Sequence, residues 1–216
     1  MSRTEDRTRN RLLEAAGEVF AHKGFLAASV GEITERAGAN RAAVNYHYRT
    51  KEDLYVAAVR HGADCCMSRH PMPTWPEGTP ADVRLRDFIR AFLSRFLSDG
   101  DPEWPGLLIM RELAQPTGGA CEAFVQDFVR PTFTLLQGIL GDLLPPDVPA
   151  RKRHMLGASI IGQCLHYHFA RHILPLLVGP DEVREYDLER VTEHIHAFSM
   201  AALRELYGAG KQEGSS

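Results

Sequence analysis

The chain has little of what would point to a membrane, a secreted scaffold or an enzyme. Its 216 residues contain no apolar run near the roughly 18 to 20 residues that a membrane span needs. The opening MSRTEDRTRNR is polar and does not read as a signal peptide. Only four cysteines occur, Cys65, Cys66, Cys121 and Cys164, with no Cys-x-x-Cys spacing. A vicinal pair cannot easily close a relaxed disulfide, so the expectation is ordinary buried thiols in a reducing, cytoplasmic compartment. No G-x-S-x-G, phosphate loop or paired-carboxylate signature is present, so neither catalysis nor a cofactor is indicated. Strand-period segments and internal repeats are missing as well.

What is present is helical periodicity with clear punctuation. Leu12, Leu13, Ala16, Val19 and Phe20 make one apolar stripe, ended by Lys23-Gly24. Ser29 opens a second helix as an S-x-x-E capping box with Glu32, and Gly38 ends it. Asn40 is a good N-cap for a third helix anchored by Val44, and Thr50 caps a fourth with Asp53 at its third position. HPMPTWPEGTP (70–80), with four prolines in eleven residues, is a natural seam. Beyond it, Leu85, Phe88, Ile89, Phe92, Leu93, Phe96 and Leu97 fit the 3.6-residue period. Further helices are expected at about 106–114, 120–143 with an irregularity at Pro131, 149–173 and 187–207. The expected fold is all-α with about nine helices. A three-helix helix-turn-helix domain (1–50) and a connecting helix (51–70) would precede a larger helical bundle (80–208). The tail 209–216 would be disordered.

Ser29 to Leu54 has the spelling of a helix-turn-helix, which lays one helix in the major groove of DNA. The third helix would expose Asn40, Arg41, Asn45, Tyr46 and His47. Asparagine can pair bidentately with adenine and arginine with guanine. Ala42 and Ala43 keep the surface low enough to enter a groove. Ser29, at the opening of the second helix, joins the candidate contacts, and Lys51 at a helix N-terminus could hold a phosphate. A polar, solvated helix in an ordinary bundle is the plain alternative. Net charge is −3, but residues 1–60 carry ten Lys/Arg against eight Asp/Glu, so this region is +2 and the remainder −5. Arg3, Arg7, Arg9 and Arg11 could add a basic approach to the DNA face.

These residues resemble the TetR family of transcriptional regulators over about residues 8–56. The resemblance rests on AHKGF, on SVGEITERAGA, and on Tyr46-His47-Tyr48-Arg49-Thr50-Lys51-Glu52-Asp53-Leu54. Asn45 departs from the pattern, since an apolar residue is commoner before that tyrosine; it is expected either to read a base or to adjust helix packing. IMRELAQPTGGACEAFVQDFVRPTFTLL and IIGQCLHYHFARHILPLLVG are similar to the CecR-like branch. The resemblance implies an all-helical homodimer that binds double-stranded operator DNA and represses transcription until a small ligand binds.

Three other constellations bear on that expectation. Leu188, Val191, Ile195, Phe198, Ala202 and Leu206 are spaced 3, 4, 3, 4 and 4, a heptad-like seam. With Gly157, Ala158, Ile161, Gly162 and Leu165 on the preceding helix they could form a four-helix dimer interface, or else a monomer core. The aromatic stripe Phe92 and Phe96, with Trp104, Met110, Phe128 and Phe133, is core by default. Part of it could line a cavity for an apolar or amphipathic ligand, with Arg111, Glu112, Gln163 and His166 as polar anchors. His168 and His172, four apart, have a zinc-chelating spacing but no clear third ligand. The alternatives are therefore a metal-responsive regulator, or a helical small-molecule carrier or enzyme with a vestigial DNA-binding module.

Overall fold

A computed structural model describes residues 3–97 and 103–208, with side chains from Arg7 onward. The side chain of Arg3 and the tail 209–216 lie outside what is described. Among the described residues all regular structure is helical, and no helix is long and apolar enough to cross a membrane. The chain forms two compact units, and neither is continuous in sequence.

The first unit contains α1 (Arg3–Ala27), α2 (Val30–Ala37), α3 (Arg41–Tyr48) and α4 (Lys51–Arg69). It also contains a later stretch, α6 (Glu103–Ala114), α7 (Gly119–Phe124) and the turn that follows. The predicted stripe of α1 is its core, with Leu12, Ala16 and Phe20 fully buried beside Ile33, Leu54, Ala58 and Leu108. Gly24, at φ +78°, interrupts α1 where the Lys23-Gly24 stop was expected. Periodicity alone assigned 106–114 to the larger bundle, yet α6 packs on α1 and α4. The reason is Trp104, only 6% exposed, whose ring fills a slot left by two glycines. A Cβ on Gly17 would stand 2.2 Å from Trp104 Cζ3, and one on Gly62 3.1 Å. Hydrogen at Gly17 is what lets the indole enter between α1 and α4, and hydrogen at Gly62 eases the fit on the other side.

A buried polar knot completes this unit. Glu112 is fully buried; its carboxylate accepts from the Tyr55 hydroxyl (2.7 Å), the Thr117 amide (2.9 Å) and the Thr117 hydroxyl (2.7 Å). Burial and then this bond push the Tyr55 hydroxyl well above the ordinary tyrosine range. A carboxylate taken out of water needs such saturation. After α7 the helix widens into a π turn at Val125–Val129. The irregularity expected at Pro131 takes this form: a proline there offers no N–H to the Asp127 carbonyl, and a wider turn precedes it.

The second unit contains α5 (Ala81–Leu97), α8 (Arg130–Leu143, from Pro131 on), α9 (Ala150–Phe169) and α12 (Leu188–Tyr207). Two short helices, α10 (Leu174–Val178) and α11 (Pro180–Arg184), occupy the segment expected only to separate α9 from α12. Leu85, Phe88, Leu93, Leu136, Leu140 and Ile195 are fully buried in its core. Gly157 lets α9 meet α8, since a Cβ there would lie 2.5 Å from Gln137 Nε2 and 3.3 Å from the Phe133 ring. Arg86 of α5 is bonded to both Glu189 and Glu193 of α12.

Candidate nucleic-acid interface

The reading head is built by caps. Ser29 Oγ accepts from the Glu32 amide (3.2 Å), as the capping spelling required. The reciprocal half of the box does not form, because the Glu32 carboxylate is drawn to Lys23 Nζ at 2.7 Å on α1. Gly38, at φ +57°, closes α2 with its own amide on Glu35 O and the next amide, Ala39, on Thr34 O (2.9 Å). That pair of bonds is a Schellman motif, and the left-handed residue favours glycine. Asn40 Oδ1 accepts from the Ala43 amide (2.9 Å) and starts α3. At the other end of α3, Arg49 takes φ +52° and ψ −54°, and the Thr50 amide bonds Tyr48 O across it. This is a γ-turn of the rare, strained kind. Thr50 Oγ1 then accepts from the Asp53 amide (3.0 Å), opening α4.

Two side chains pin α3 to the unit: Val44 is 1% exposed and Tyr48 6%, the latter donating its hydroxyl to Arg9 O at 3.5 Å. The opposite face is open. Asn40, Arg41, Ala42, Asn45 and Tyr46 are exposed and His47 is half-buried. Tyr46 is 73% exposed, with its ring edge-on to His47 at 5.0 Å. The expected contacts of α3 therefore share one low, polar surface. Ser29 spends its oxygen on capping. Lys51 sits over the Phe25 ring (4.7 Å) and donates to Leu26 O (3.4 Å), which leaves donors on its ammonium but ties the side chain to the end of α1. Arg11 was grouped only with the N-terminal cations. Its guanidinium reaches the α2–α3 turn, 3.7 Å from where a Cβ on Gly38 would lie. Sequence spacing across two helices carries no signal for that approach.

The residues expected to surround a ligand divide between the units. Trp104, Met110, Arg111 and Phe128 belong to the first; Phe92, Phe96, Phe133, Gln163 and His166 belong to the second. In the first unit each has partners within the unit. Trp104 fills the glycine slot and Met110 is 7% exposed. Arg111 donates to Ala21 O (3.1 Å) and His22 O (3.3 Å), carbonyls in the last turns of α1, and Glu112 is saturated as described. Phe128 stacks on Phe124. In the second unit Phe92, Phe96 and Phe133 are half-buried, and Gln163 donates to Ser159 O (3.4 Å). His166 is exposed and borders a cleft of about 500 Å³ with Tyr167, Leu174, Glu182, Tyr186, Arg190 and His194. That volume suits a small molecule.

The expected dimer seam also divides. Gly157, Val191 (3% exposed) and Ile195 (fully buried) face the unit's own core, because the stripe of α12 is wide enough to serve two neighbours. Ile161, Leu165 and Ala202 are half-buried, whereas Phe198 is 60% exposed and Leu206 64%. The histidine pair does not form a chelate. The α9 helix ends at Phe169, so His172 lies beyond it, and the Arg171 guanidinium reaches both His168 Nδ1 (3.5 Å) and His172 Nε2 (3.0 Å). Burial, then Arg171, lowers the pKa of His168. None of the four cysteines is in a disulfide; Cys65, Cys66 and Cys121 are half-buried and Cys164 buried.

A capped two-helix motif with one helix pinned inward and polar outward defines a helix-turn-helix DNA-binding regulator. Family comparison agrees: residues 12–58 match the family described as bacterial regulatory proteins, TetR family. Residues 81–203 match the C-terminal domain of the HTH-type transcriptional dual regulator CecR. The chain belongs to the TetR family, with a CecR-type C-terminal domain. It is 35% identical over 89 residues to the HTH-type transcriptional activator FasR of Mycolicibacterium smegmatis, covering 40% of this chain and 39% of that one. It is 27% identical over 113 residues to the HTH-type transcriptional regulator RutR of Escherichia coli K12, covering 52% and 51%. The chain thus spans about half or less of the length of these curated relatives. Among solved structures, a tetR-family regulatory protein from Rhodococcus RHA1 superposes with a TM-score of 0.65 at 20% identity, covering 94% of this chain and 98% of that one. FadR from Bacillus subtilis, solved in complex with stearoyl-CoA, gives 0.63 at 16%, covering 89% and 97%. These likenesses show the fold.

Proposed function

We propose that the protein is a homodimeric repressor that reads double-stranded operator DNA with α3 and lets go when a small apolar or amphipathic ligand binds. The observation that carries the DNA-reading part is the α3 surface: Arg41, Ala42, Asn45 and Tyr46 stand exposed together while Val44 and Tyr48 fix the helix behind them. In this reading Asn45 and Arg41 contact base edges, and Tyr46, His47 and Lys51 contact the backbone. Reading two half-sites needs two heads, hence a two-fold dimer. Apolar side chains left outside the second unit's core, Met155 (65% exposed), Phe169 (56%), Phe198 and Leu206, supply a face for a second copy on α9 and α12. Fluorescence anisotropy with DNA flanking the chain's own gene tests the reading. A specific, salt-dependent complex with two chains per site is expected; affinity equal to that for random DNA would defeat it and favour a carrier or enzyme.

For the ligand, half-buried Phe92, Phe96 and Phe133 favour an apolar body. The stearoyl-CoA bound by FadR makes acyl-thioesters the first class to assay. Release follows only if the ligand prefers an arrangement of the heads that the operator does not. A repressor loses its specific complex on adding ligand; a complex that tightens would mark an activator instead.

A further inference from the structure

We propose that Glu14, His61 and Cys65 form a binding site for a zinc-class metal ion that staples α1 to α4 within the DNA-reading unit. His61 and Cys65 stand one helical turn apart on α4, at the i, i+4 spacing that places two donors on one face. Glu14 comes from α1. His61 Nε2 lies 2.9 Å from Glu14 Oε1 and 4.0 Å from Cys65 Sγ, and all three donor atoms lie within 4.8 Å of one another. Among the described residues this is the one group of three such donors that converges. A tetrahedral ion with bonds of about 2.0–2.3 Å sets its ligands roughly 3.3–3.8 Å apart. The observed separations bracket that range, so loading the site needs side-chain adjustments of a fraction of an ångström to about one ångström.

The imidazole is already aimed. Its ring stacks on Trp104 at 6.0 Å between centroids and 26° between planes, and Trp104 is locked in the Gly17–Gly62 slot. Carboxylate, imidazole and thiolate together suit a borderline-soft ion and not magnesium or calcium, which take oxygen ligands. Binding would replace the Glu14–His61 hydrogen bond by two metal bonds; the Cys65 thiol proton leaves for solvent, and the proton on His61 Nε2 either follows it or, in the neutral imidazole, is carried on Nδ1 instead. Burial, then the Glu14 carboxylate, raises the pKa of the Cys65 thiol, with Arg69 opposing and Asp64 adding to the rise. Glu14 is half exposed at its side chain and His61 about a quarter, so the site opens to solvent and a water can take the fourth position. Three protein ligands and one open position describe an exchangeable ion more than a permanent structural one.

The test is a Cd²⁺ titration of metal-free, untagged full-length protein, followed by the ultraviolet thiolate-to-metal band, with Zn²⁺ as competitor and tryptophan fluorescence as a second signal. One equivalent per chain is expected. The band should vanish in Cys65→Ser, and affinity should fall at least ~tenfold in His61→Ala. Cys66→Ser and His168→Ala should bind as the parent does, and Zn²⁺ should change the emission in the parent but not in Cys65→Ser. Far-ultraviolet dichroism matching the parent establishes that Cys65→Ser is folded. Absence of a band in the parent, or its survival in Cys65→Ser, overturns the proposal. Unchanged affinity in His61→Ala overturns it too, because the vicinal thiols alone would then be the ligands.

Discussion

Replacing Gly17 by alanine should destabilise the protein, although the same change in an ordinary helix stabilises it. Gly17 lies inside α1, where alanine is worth about 0.5–1 kcal/mol through helix propensity alone. The new methyl would stand 2.2 Å from Trp104 Cζ3, 2.5 Å from Cε3 and 2.6 Å from Cη2, all carbons of one rigid ring. Restoring ordinary contact near 3.4 Å requires the indole to retreat by about 1.2 Å, the difference between the two distances. The ring has nowhere to go, because Gly62 and its neighbours close the other side. Overpacking of this kind costs about 1–3 kcal/mol. Set against the helical gain, the net effect is a loss centred on about 1 kcal/mol, read as a fall in the unfolding midpoint of about 2–4 °C for a chain of this size. Differential scanning calorimetry on four proteins makes the cycle: parent, Gly17→Ala, Trp104→Leu and the double variant. In the Trp104→Leu background the methyl meets open space, so alanine should recover its helical benefit and raise the midpoint. If Gly17→Ala is neutral or stabilising in the parent, or equally harmful with and without Trp104, the interlock argued for α6 is wrong.

Arg49→Gly should stabilise the protein by about 1 kcal/mol, visible in urea denaturation, because φ +52° strains an arginine and suits a glycine. A loss would mean that the Arg49 side chain contributes more than its backbone strain. Arg41→Ala should narrow the gap between cognate and random DNA by about 1–3 kcal/mol, whereas Lys51→Ala should weaken both alike and reduce the salt slope. Parallel losses in the two variants would reject that division of labour. Burial pushes the Cys164 thiol from 9.0 up to about 12. Above pH 9 the unfolded chain gives up this proton while the folded chain keeps it, so stability is full below that pH and falls as pH rises towards 12. The slope is at most about 1.4 kcal/mol per pH unit for the group. Cys164→Ala should flatten that slope between about pH 9 and pH 11 in urea melts; an unchanged slope would assign the loss to other groups, Tyr55 first.

Much of the reading head is legible in the sequence because its determinants are local. Ser29, Gly38, Asn40 and Thr50 act within four residues of themselves through a side-chain oxygen or a backbone angle, and each caps or stops its helix in the structure. The apolar stripes of α1 and α5 likewise face the cores their spacing implied. Legibility ended where a residue had two uses. Glu32 has the spelling of a reciprocal cap, but Lys23 stands near and takes it. Val191, Ile195 and Phe198 read as one seam, yet the first two serve the monomer core and the third faces outward. Trp104 and Glu112 looked like a cavity lining and its anchor. One is a wedge and the other a saturated buried carboxylate, because the glycines that receive Trp104 and the Tyr55 hydroxyl that meets Glu112 lie on distant helices.

The amino-acid order alone thus determined the helical class, the caps and the exposed polar face of α3, since propensity, periodicity and capping act over one or two turns. Only the tertiary structure decided which helices share a core. It sent α6 and α7 to the unit that holds α1 to α4, and brought Glu14 of α1 to His61 and Cys65 of α4. Those outcomes depend on close packing across long stretches of chain, where a missing methyl at Gly17 weighs more than any local preference.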